Sequence, residues 1–276
     1  VVASTVGDAL GAALDALRAA GVDSPRLDAE LLLEHASGRD RAWLAAHPEA
    51  ELDSVAGRAF AELVRRRLRR EPVAYILGRK AFRRLELRVD RRVLIPRPET
   101  EHLVEAILEL EPLAICDVGT GSGAIALALA DELPNAQVVA TDLYPEALEV
   151  AQENARRLGL EERVRFEQGS LPRTGSFDVV VANLPYVSAR EWLELSPEVR
   201  GYEPRGALVP GPTGLEAIEA LLGELAVGAG ARAAAVALEV GEGQAEVVAE
   251  LVRRAGYERV ERRRDLAGIE RVVIGR

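Results

Sequence analysis

Asn183, Leu184, Pro185 and Tyr186 stand together where an apolar, β-branched run, Val179-Val180-Val181-Ala182, comes to a stop. A carboxamide, a proline with fixed φ and an aromatic ring at a strand end put functional groups at the carboxyl edge of a sheet, where open α/β sheets bind ligands. The chemistry this suits is transfer to a planar amino nitrogen. Such a nitrogen, on a carboxamide or an adenine, delocalises its lone pair and is a poor nucleophile. The Oδ1 of Asn183 and the carbonyl of Leu184 can each accept one of its two N–H bonds. That holds the nitrogen toward an incoming methyl group and drains charge as the C–N bond forms. Each hydrogen bond is worth about 0.5–1.5 kcal/mol net, whereas orientation supplies roughly 7–11 kcal/mol. Alignment therefore outweighs base catalysis. Pro185 stiffens the turn, and Tyr186 can lie on the planar group. For the tetrapeptide alone, a plain strand exit is the competing reading, with Asn in a turn and Tyr filling space.

The elements that must position these residues alternate from Leu113 onward. Strands are expected at 114–118, 138–142, 164–167, 179–187, 233–240, 257–262 and 269–274, each an apolar or alternating run. Helices are expected from near Ala124, over 145–158, through Leu221, Leu222 and Leu225, and over 244–255, with a Pro/Gly-rich loop at 196–214. The last two strands flank Asp265-Leu266-Ala267-Gly268, too short a link for a parallel crossover. The pattern predicts an α/β fold with a doubly wound, seven-stranded, mostly parallel sheet that ends in an antiparallel strand.

A glycine-rich turn, Gly119-Thr120-Gly121-Ser122-Gly123, follows the first of these strands. Glycines let backbone approach a ligand closely at a helix N-terminus, which suits a dinucleotide or S-adenosylmethionine equally. Gly119-x-Gly121-x-x-Ala124 also passes the relaxed dinucleotide pattern. Asp142 ends the next strand, 19 residues past Gly123, and fits a ribose-diol acceptor in both cases. Asp117, just ahead of the glycines, either orients the loop or meets a charged amino group on the cofactor. The loop alone leaves the choice open. The tetrapeptide decides it for S-adenosylmethionine, because hydride transfer has no use for an amide holder.

Ahead of this region lies a small all-helical segment. Val6, Leu10, Ala13, Leu14 and Leu17 have helical spacing; Ser24 and Pro25 open a second helix that stops at Gly38, a short one covers 40–47, and Asp53 caps a fourth. Glu71-Pro72 breaks the pattern, and Tyr75-Ile76-Leu77-Gly78, Ala81-Phe82 and 85–89 alternate like a hairpin. The expected boundaries are a helical substrate-recognition domain at 1–72, a β-hairpin linker at 73–94 and the α/β domain at 95–276. Within Ile95-Pro96-Arg97-Pro98-Glu99-Thr100-Glu101, two prolines stiffen the chain around an arginine. This is either a helix entry or a rigid arm that brings Arg97 and Glu99 to a substrate cleft.

The net charge of −10 argues against a surface built for nucleic acid. Residues 58–92 depart from it, with 13 basic against four acidic side chains. That excess suits either a solvated helix face and hairpin or contact with an acidic protein or a phosphate backbone, and only Tyr75 and Phe82 interleave it as aromatics. No apolar run approaches the roughly 20 residues of a membrane span. The first residues lack a basic start and apolar core, so a cytoplasmic protein is expected. One cysteine, Cys116, excludes an internal disulfide, and His35, His47 and His102 lack ligand spacing, so no metal is expected.

Asn183-Leu184-Pro185-Tyr186 resembles the Asn-Pro-Pro-Tyr signature of amino-methyltransferases. The neighbouring segments resemble the release-factor glutamine methyltransferase family (PrmC/HemK). They are Glu71-Pro72 with 75–78, Leu94 to Glu101, and Asp117 to Ala126. Further on come Tyr202-Glu203-Pro204-x-x-Ala207-Leu208, Gly214-Leu215, Glu239-Val240-Gly241 with Gln244, and Asp265-Leu266-x-Gly268 with Arg271. The resemblance covers most of the chain and implies a Rossmann-like methyltransferase domain behind a helical N-terminal domain. It implies methylation of the side-chain amide nitrogen (N5) of the glutamine in the Gly-Gly-Gln motif of class I peptide-chain release factors. Asp117, Gly119 to Gly123 and Asp142 would then hold S-adenosylmethionine, with Leu171 near its adenine and Asn183 beside it. Asn183 to Tyr186 would bind the glutamine. Two positions depart from the pattern. Ser170 stands where such sheets commonly carry an acid, and Leu184 replaces proline, as in the Asn-Leu-Pro-Tyr of rRNA adenine dimethylases. Leu184 still offers its carbonyl. An adenine-N6 methyltransferase acting on RNA or DNA is the second reading, and a non-catalytic cofactor-binding assembly module the third.

Overall fold

Short polar side chains and glycines set the helix ends of the N-terminal region. In the computed structural model, which describes residues 5–172, 174–228 and 231–276, five helices come first. They are α1 (Val6–Ala19), α2 (Pro25–Ser37), α3 (Arg41–Ala46), α4 (Ser54–Leu68) and α5 (Val73–Leu77), and the strands β1 (Arg79–Phe82) and β2 (Leu85–Arg88) follow. The chain then runs α6 (Thr100–Leu108), β3 (Ala114–Val118), α7 (Ala124–Glu132), β4 (Gln137–Asp142), α8 (Pro145–Leu158), β5 (Val164–Gln168) and β6 (Gly175–Ala182). It closes with α9 (Pro197–Tyr202), α10 (Glu216–Val227), β7 (Ala231–Glu239), α11 (Ala245–Arg254), β8 (Val260–Arg264) and β9 (Glu270–Gly275). Two units result, one of residues up to Gly78 with Ser196–Tyr202, the other of Arg79–Leu195 with Glu203–Arg276.

In the first unit a capping box joins Thr5 and Asp8, and Asp40 and Asp53 accept the first free N–H groups of α3 and α4. Ser24 makes no side-chain cap; Pro25 in the first turn carries the start of α2 instead. Leu17, Leu32, Leu33 and Leu44 are fully buried among Phe60, Val64 and Ile76. Residues 73–77 are helical, contrary to the hairpin expected there. Pro72 starts the turn, Gly78 ends it in the left-handed region, and the adjacent Tyr75 and Ile76 are both buried, which one face of a strand does not allow.

Four arginines of the run at 65–70 pair with acids inside this unit. Arg67, nearly buried, pairs with Asp28 at 2.7 Å and with Glu198 at 2.9 Å, and Arg70 also reaches Glu198 at 2.7 Å. Arg66 holds Glu71 at 2.7 Å, and Arg65 pairs with Glu62. The Tyr202 hydroxyl donates to the Arg69 carbonyl at 2.7 Å. These bonds fasten α9, which lies in the stretch expected to be only a loop, to helices more than a hundred residues earlier in the chain.

The second unit is built on a seven-stranded sheet in the order β5-β4-β3-β6-β7-β9-β8. The first five strands are parallel, and β9 runs antiparallel to both β7 and β8. Side chains alternate between two apolar layers. Val179 and Val181 of β6 join Ile115, Val138, Ile107 and Leu127 on one face, while Val180 and Ala182 join Cys116, Leu238, Ile218 and Leu222 on the other. The β1–β2 hairpin pairs Arg79 with Arg88 through Phe82 with Leu85. Asn154 of α8, fully buried, accepts from Arg88 N–H at 2.7 Å and donates to the carbonyls of Arg88 and Ser122. The hairpin, α8 and the glycine turn thus share one side chain. The register sets Val118 against both Thr141 and Ala182, so three strand ends open side by side. Among the described residues no helix is long and apolar enough to cross a membrane.

Candidate active site

The ends of β3, β4 and β6 open into a cavity of about 720 Å³. Gly119, Thr120, Gly121 and Ser122 form one wall, Asp142 the next, and Asn183 to Pro185 a third. The glycine turn takes its shape from the two acids beside it. The Thr120 hydroxyl donates to Asp117 Oδ2 at 2.6 Å, and the Ala126 N–H donates to the same oxygen at 3.2 Å. Gly121 N–H donates to Asp142 Oδ2 at 2.9 Å and Tyr144 N–H to Oδ1 at 3.0 Å. Gly119 has φ of 71°, and a Cβ there would meet Leu184 Cδ2 at 3.0 Å, so glycine is required where the turn and the tetrapeptide meet.

Both acids feel their burial. Asp117 is fully enclosed, and burial pushes its carboxyl up to about 7 against the hydrogen bonds from Thr120 and Ala126. Among the described residues its Oδ1 has no hydrogen-bond partner. Asp142 is also raised by burial, with the N–H groups of Tyr144 and Gly121 opposing the shift. An orphaned carboxylate oxygen below a glycine cradle, with a second acid at the neighbouring strand end, can accept from an ammonium and a ribose diol.

The tetrapeptide is braced from three sides. Asn183 Nδ2 donates to Thr100 Oγ1 at 3.0 Å, which leaves Oδ1 as the side chain's free acceptor. The Tyr186 hydroxyl donates to Glu239 Oε1 at 3.4 Å. The Tyr186 carbonyl accepts from Gln244 Nε2 at 2.9 Å, and Gly241 N–H holds the other end of that amide at 2.9 Å. Tyr186 is pushed well above the ordinary phenol range by burial and by Glu239. Gly214 passes beneath with φ of +85°, and a Cβ there would collide with the Tyr186 carbonyl oxygen. Gly214→Ala is therefore expected to cost about 1–2 kcal/mol of backbone strain and to lower turnover roughly tenfold by displacing Tyr186. Initial rates on a variant with native circular dichroism check this.

Not every residue expected at the site meets the cavity. Arg97 lines it, but its guanidinium is committed to Glu203 at 2.5 Å, and Glu203 also accepts from Ile95 N–H at 3.1 Å. Glu99 is exposed at the start of α6 and does not line the cavity. Asp117 and Gly123 lie behind its wall, Gly123 against Leu127 and Ala151. Leu171 packs into the apolar layer around Leu222, and Tyr186 faces Glu239. Ser170 is not the acid common at its position, yet its hydroxyl donates to Glu224 of α10 at 2.9 Å, so a carboxylate borders the cavity there all the same. Thr100, Glu203, Glu239 and Gln244 were not identified as site residues from sequence. For Glu239 the available signal was an acid ending an apolar strand, as Asp142 does.

Residues 8–78 match the PrmC N-terminal domain model and residues 111–201 a methyltransferase domain model. The chain is 45% identical over 264 residues to a release factor glutamine methyltransferase of Moorella thermoacetica, covering 93% of each. It is 42% identical over 269 residues to that of Nitratidesulfovibrio vulgaris, covering 94% of this chain and 91% of the relative. It is 40% identical over 278 residues to that of Caulobacter vibrioides, covering 98% and 96%. Among solved structures, the hMettl16 catalytic domain in complex with MAT2A 3'UTR hairpin 6 aligns with a TM-score of 0.55 at 15% identity, covering 68% of this chain and 74% of that one. The N-terminal domain of human METTL16 in complex with SAH aligns with a TM-score of 0.50 at 16% identity over the same shares. At these identities the two structures speak for the fold alone.

Proposed function

Because the chain belongs to the release factor glutamine methyltransferase family, we propose that it methylates the side-chain amide nitrogen, N5, of the glutamine in the Gly-Gly-Gln motif of class I peptide-chain release factors. The methyl donor in this reading is S-adenosylmethionine, whose sulfonium supplies an electrophilic methyl group when bound. Gly119 to Ser122 would bear against its amino-acid end, Asp117 Oδ1 would accept from its ammonium, and Asp142 from its ribose. The observation that carries the substrate reading is Asn183, whose Nδ2 is committed to Thr100 while Oδ1 stays free at the cavity beside the glycine turn. A glutamine amide can give one N–H to that oxygen and the other to the Leu184 carbonyl. Its nitrogen then faces the methyl group with its remaining orbital, and the proton lost afterwards leaves from a cationic amide that needs no strong base.

The test offers labelled methyl donor to a class I release factor, to the same factor with Gln→Glu in its Gly-Gly-Gln motif, and to an adenine-containing oligonucleotide. Label is expected in the first alone. Label in the oligonucleotide alone would establish the adenine reading, which the same acceptor pair would serve.

A further inference from the structure

The glycine turn closes β3, Asp142 ends β4 and the tetrapeptide follows β6. In the order β5-β4-β3-β6, a cofactor with its amino-acid end at β3 and its ribose at β4 would extend toward β5, away from the reacting amide. The cavity there is lined by Ser170 just past β5, by Leu143 beside Asp142, and by Ala217, Ala220, Leu221 and Glu224 of α10. Leu143 leaves 62% of its surface to solvent, an apolar face that a flat aromatic ring would cover. Apolar walls with a few placed polar groups are how a pocket orients a planar ligand.

The polar pair in this lining, Ser170 and Glu224, is fixed from the strand side. Thr141, fully buried in β4, donates its hydroxyl to the Ser170 carbonyl at 2.9 Å, and Gly169 N–H donates to the Asp142 carbonyl at 2.9 Å. Ser170 is thereby tied to the strand that ends in the ribose acid. Its hydroxyl lies 3.0 Å from Glu224 Oε1 and 2.9 Å from Oε2 and donates between them. One hydroxyl proton cannot saturate a carboxylate, which offers about four lone-pair sites. Among the described residues no other donor reaches Glu224. A carboxylate held at the cavity wall with acceptor capacity to spare selects a donor.

We propose that Glu224, steadied by Ser170, accepts a hydrogen bond from the 6-amino group of the cofactor's adenine and so sets the base preference of the site. This rests on the S-adenosylmethionine reading above. The 6-amino group is the donor on that edge of the base, whereas the ring nitrogens only accept and would face a carboxylate lone pair to lone pair. The acid that the end of β5 lacks at Ser170 is thus supplied by α10, 54 positions later in the chain. Local sequence gives no sign of this, because Glu224 reads as one more charged residue on an amphipathic helix.

Calorimetric titration of the whole chain with two probes tests this without turnover. One is S-adenosylhomocysteine; the other is its purine analogue, with hydrogen in place of the 6-amino group. The parent is expected to bind the amino compound at least about tenfold more tightly, as for a hydrogen bond to a charged group. Glu224 is exposed on α10, and alanine is the best helix former, so Glu224→Ala should fold as the parent does. That variant should lose about tenfold in affinity for the amino compound and hold the analogue within about twofold, so that the preference disappears. No preference in the parent, or an equal loss for both probes in Glu224→Ala, would overturn the assignment. The readings separate cleanly. A chain that binds S-adenosylhomocysteine with the same preference in parent and variant overturns the role of Glu224 alone. A chain that binds neither probe overturns the cofactor reading, and the role of Glu224 with it. A preference that depends on Glu224, in a chain that transfers no methyl to the release factor, upholds that role and overturns only the substrate.

Discussion

Asn183→Ala is expected to lower single-turnover methyl transfer about 10³-fold, the upper range for removing one preorganised polar contact at a reacting centre, with cofactor affinity changed about threefold or less. The two effects separate because the contacts are separate. Asn183 binds Thr100 across the chain, while the glycine turn is held by Asp117 and Asp142 through Thr120, Ala126 and Gly121. Truncation at 183 leaves that scaffold whole and removes one of the two oxygens that would hold the acceptor amide, leaving only the Leu184 carbonyl. The loss should therefore fall in kcat, as expected for an interaction that aligns the reacting nitrogen. Rapid-quench transfer and calorimetric titration with the demethylated cofactor measure the two quantities. Turnover within tenfold of the parent would rule out the amide-holding role; a matching collapse in cofactor binding would move Asn183 to the cofactor site.

Asp117→Asn should change the pH dependence of stability strongly. Burial raises the Asp117 carboxyl from its ordinary value to about 7. Between those values the folded chain keeps a proton that the unfolded chain has released. Stability linked to Asp117 is thus fully present below about pH 4 and is lost as pH rises through about 7. A shift of that size corresponds to something on the order of 4 kcal/mol. Asparagine cannot ionise, so the unfolding free energy of Asp117→Asn relative to the parent should improve by about 3 kcal/mol between pH 4.5 and pH 8. Urea unfolding of both proteins at several pH values, without cofactor, gives the difference directly. Parallel pH profiles would show that Asp117 stays ionised in the folded chain throughout. If the orphaned Oδ1 receives the cofactor's ammonium, the same variant should bind the cofactor more weakly at every pH.

The glycine turn, Asp142 and the tetrapeptide were visible in sequence because each depends on local rules. Apolar or alternating runs marked all seven strands of the large sheet, and most ends moved by up to three residues. The strand expected at 179–187 instead lies at Gly175–Ala182, because the tetrapeptide and Val187 leave the sheet. Capping and stop residues marked α1 to α4. Local rules misread 73–77, where an apolar triplet between a proline and a glycine satisfies strand and helix alike, and burial of Tyr75 beside Ile76 decided for helix. They also read 196–214 as loop, although α9 is held by Arg67 and Arg70, whose pull on Glu198 has no trace in the local pattern.

By itself the amino-acid sequence determined the alternation of elements, the carboxyl-edge site and the residue types lining it, because conformational preference and apolar periodicity act over a few neighbouring positions. The tertiary structure alone decided which polar groups meet there. Thr100 reaches Asn183 across 83 positions, Tyr186 reaches Glu239 across 53, and Ser170 reaches Glu224 across 54. A single buried polar side chain carries no periodic signal, and its partner exists only once the order β5-β4-β3-β6-β7-β9-β8 has set the register. The direction in which Asn183 presents its amide is a property of that assembled network, since its two ends are nearly equal in size and differ only in whether they give or accept a proton.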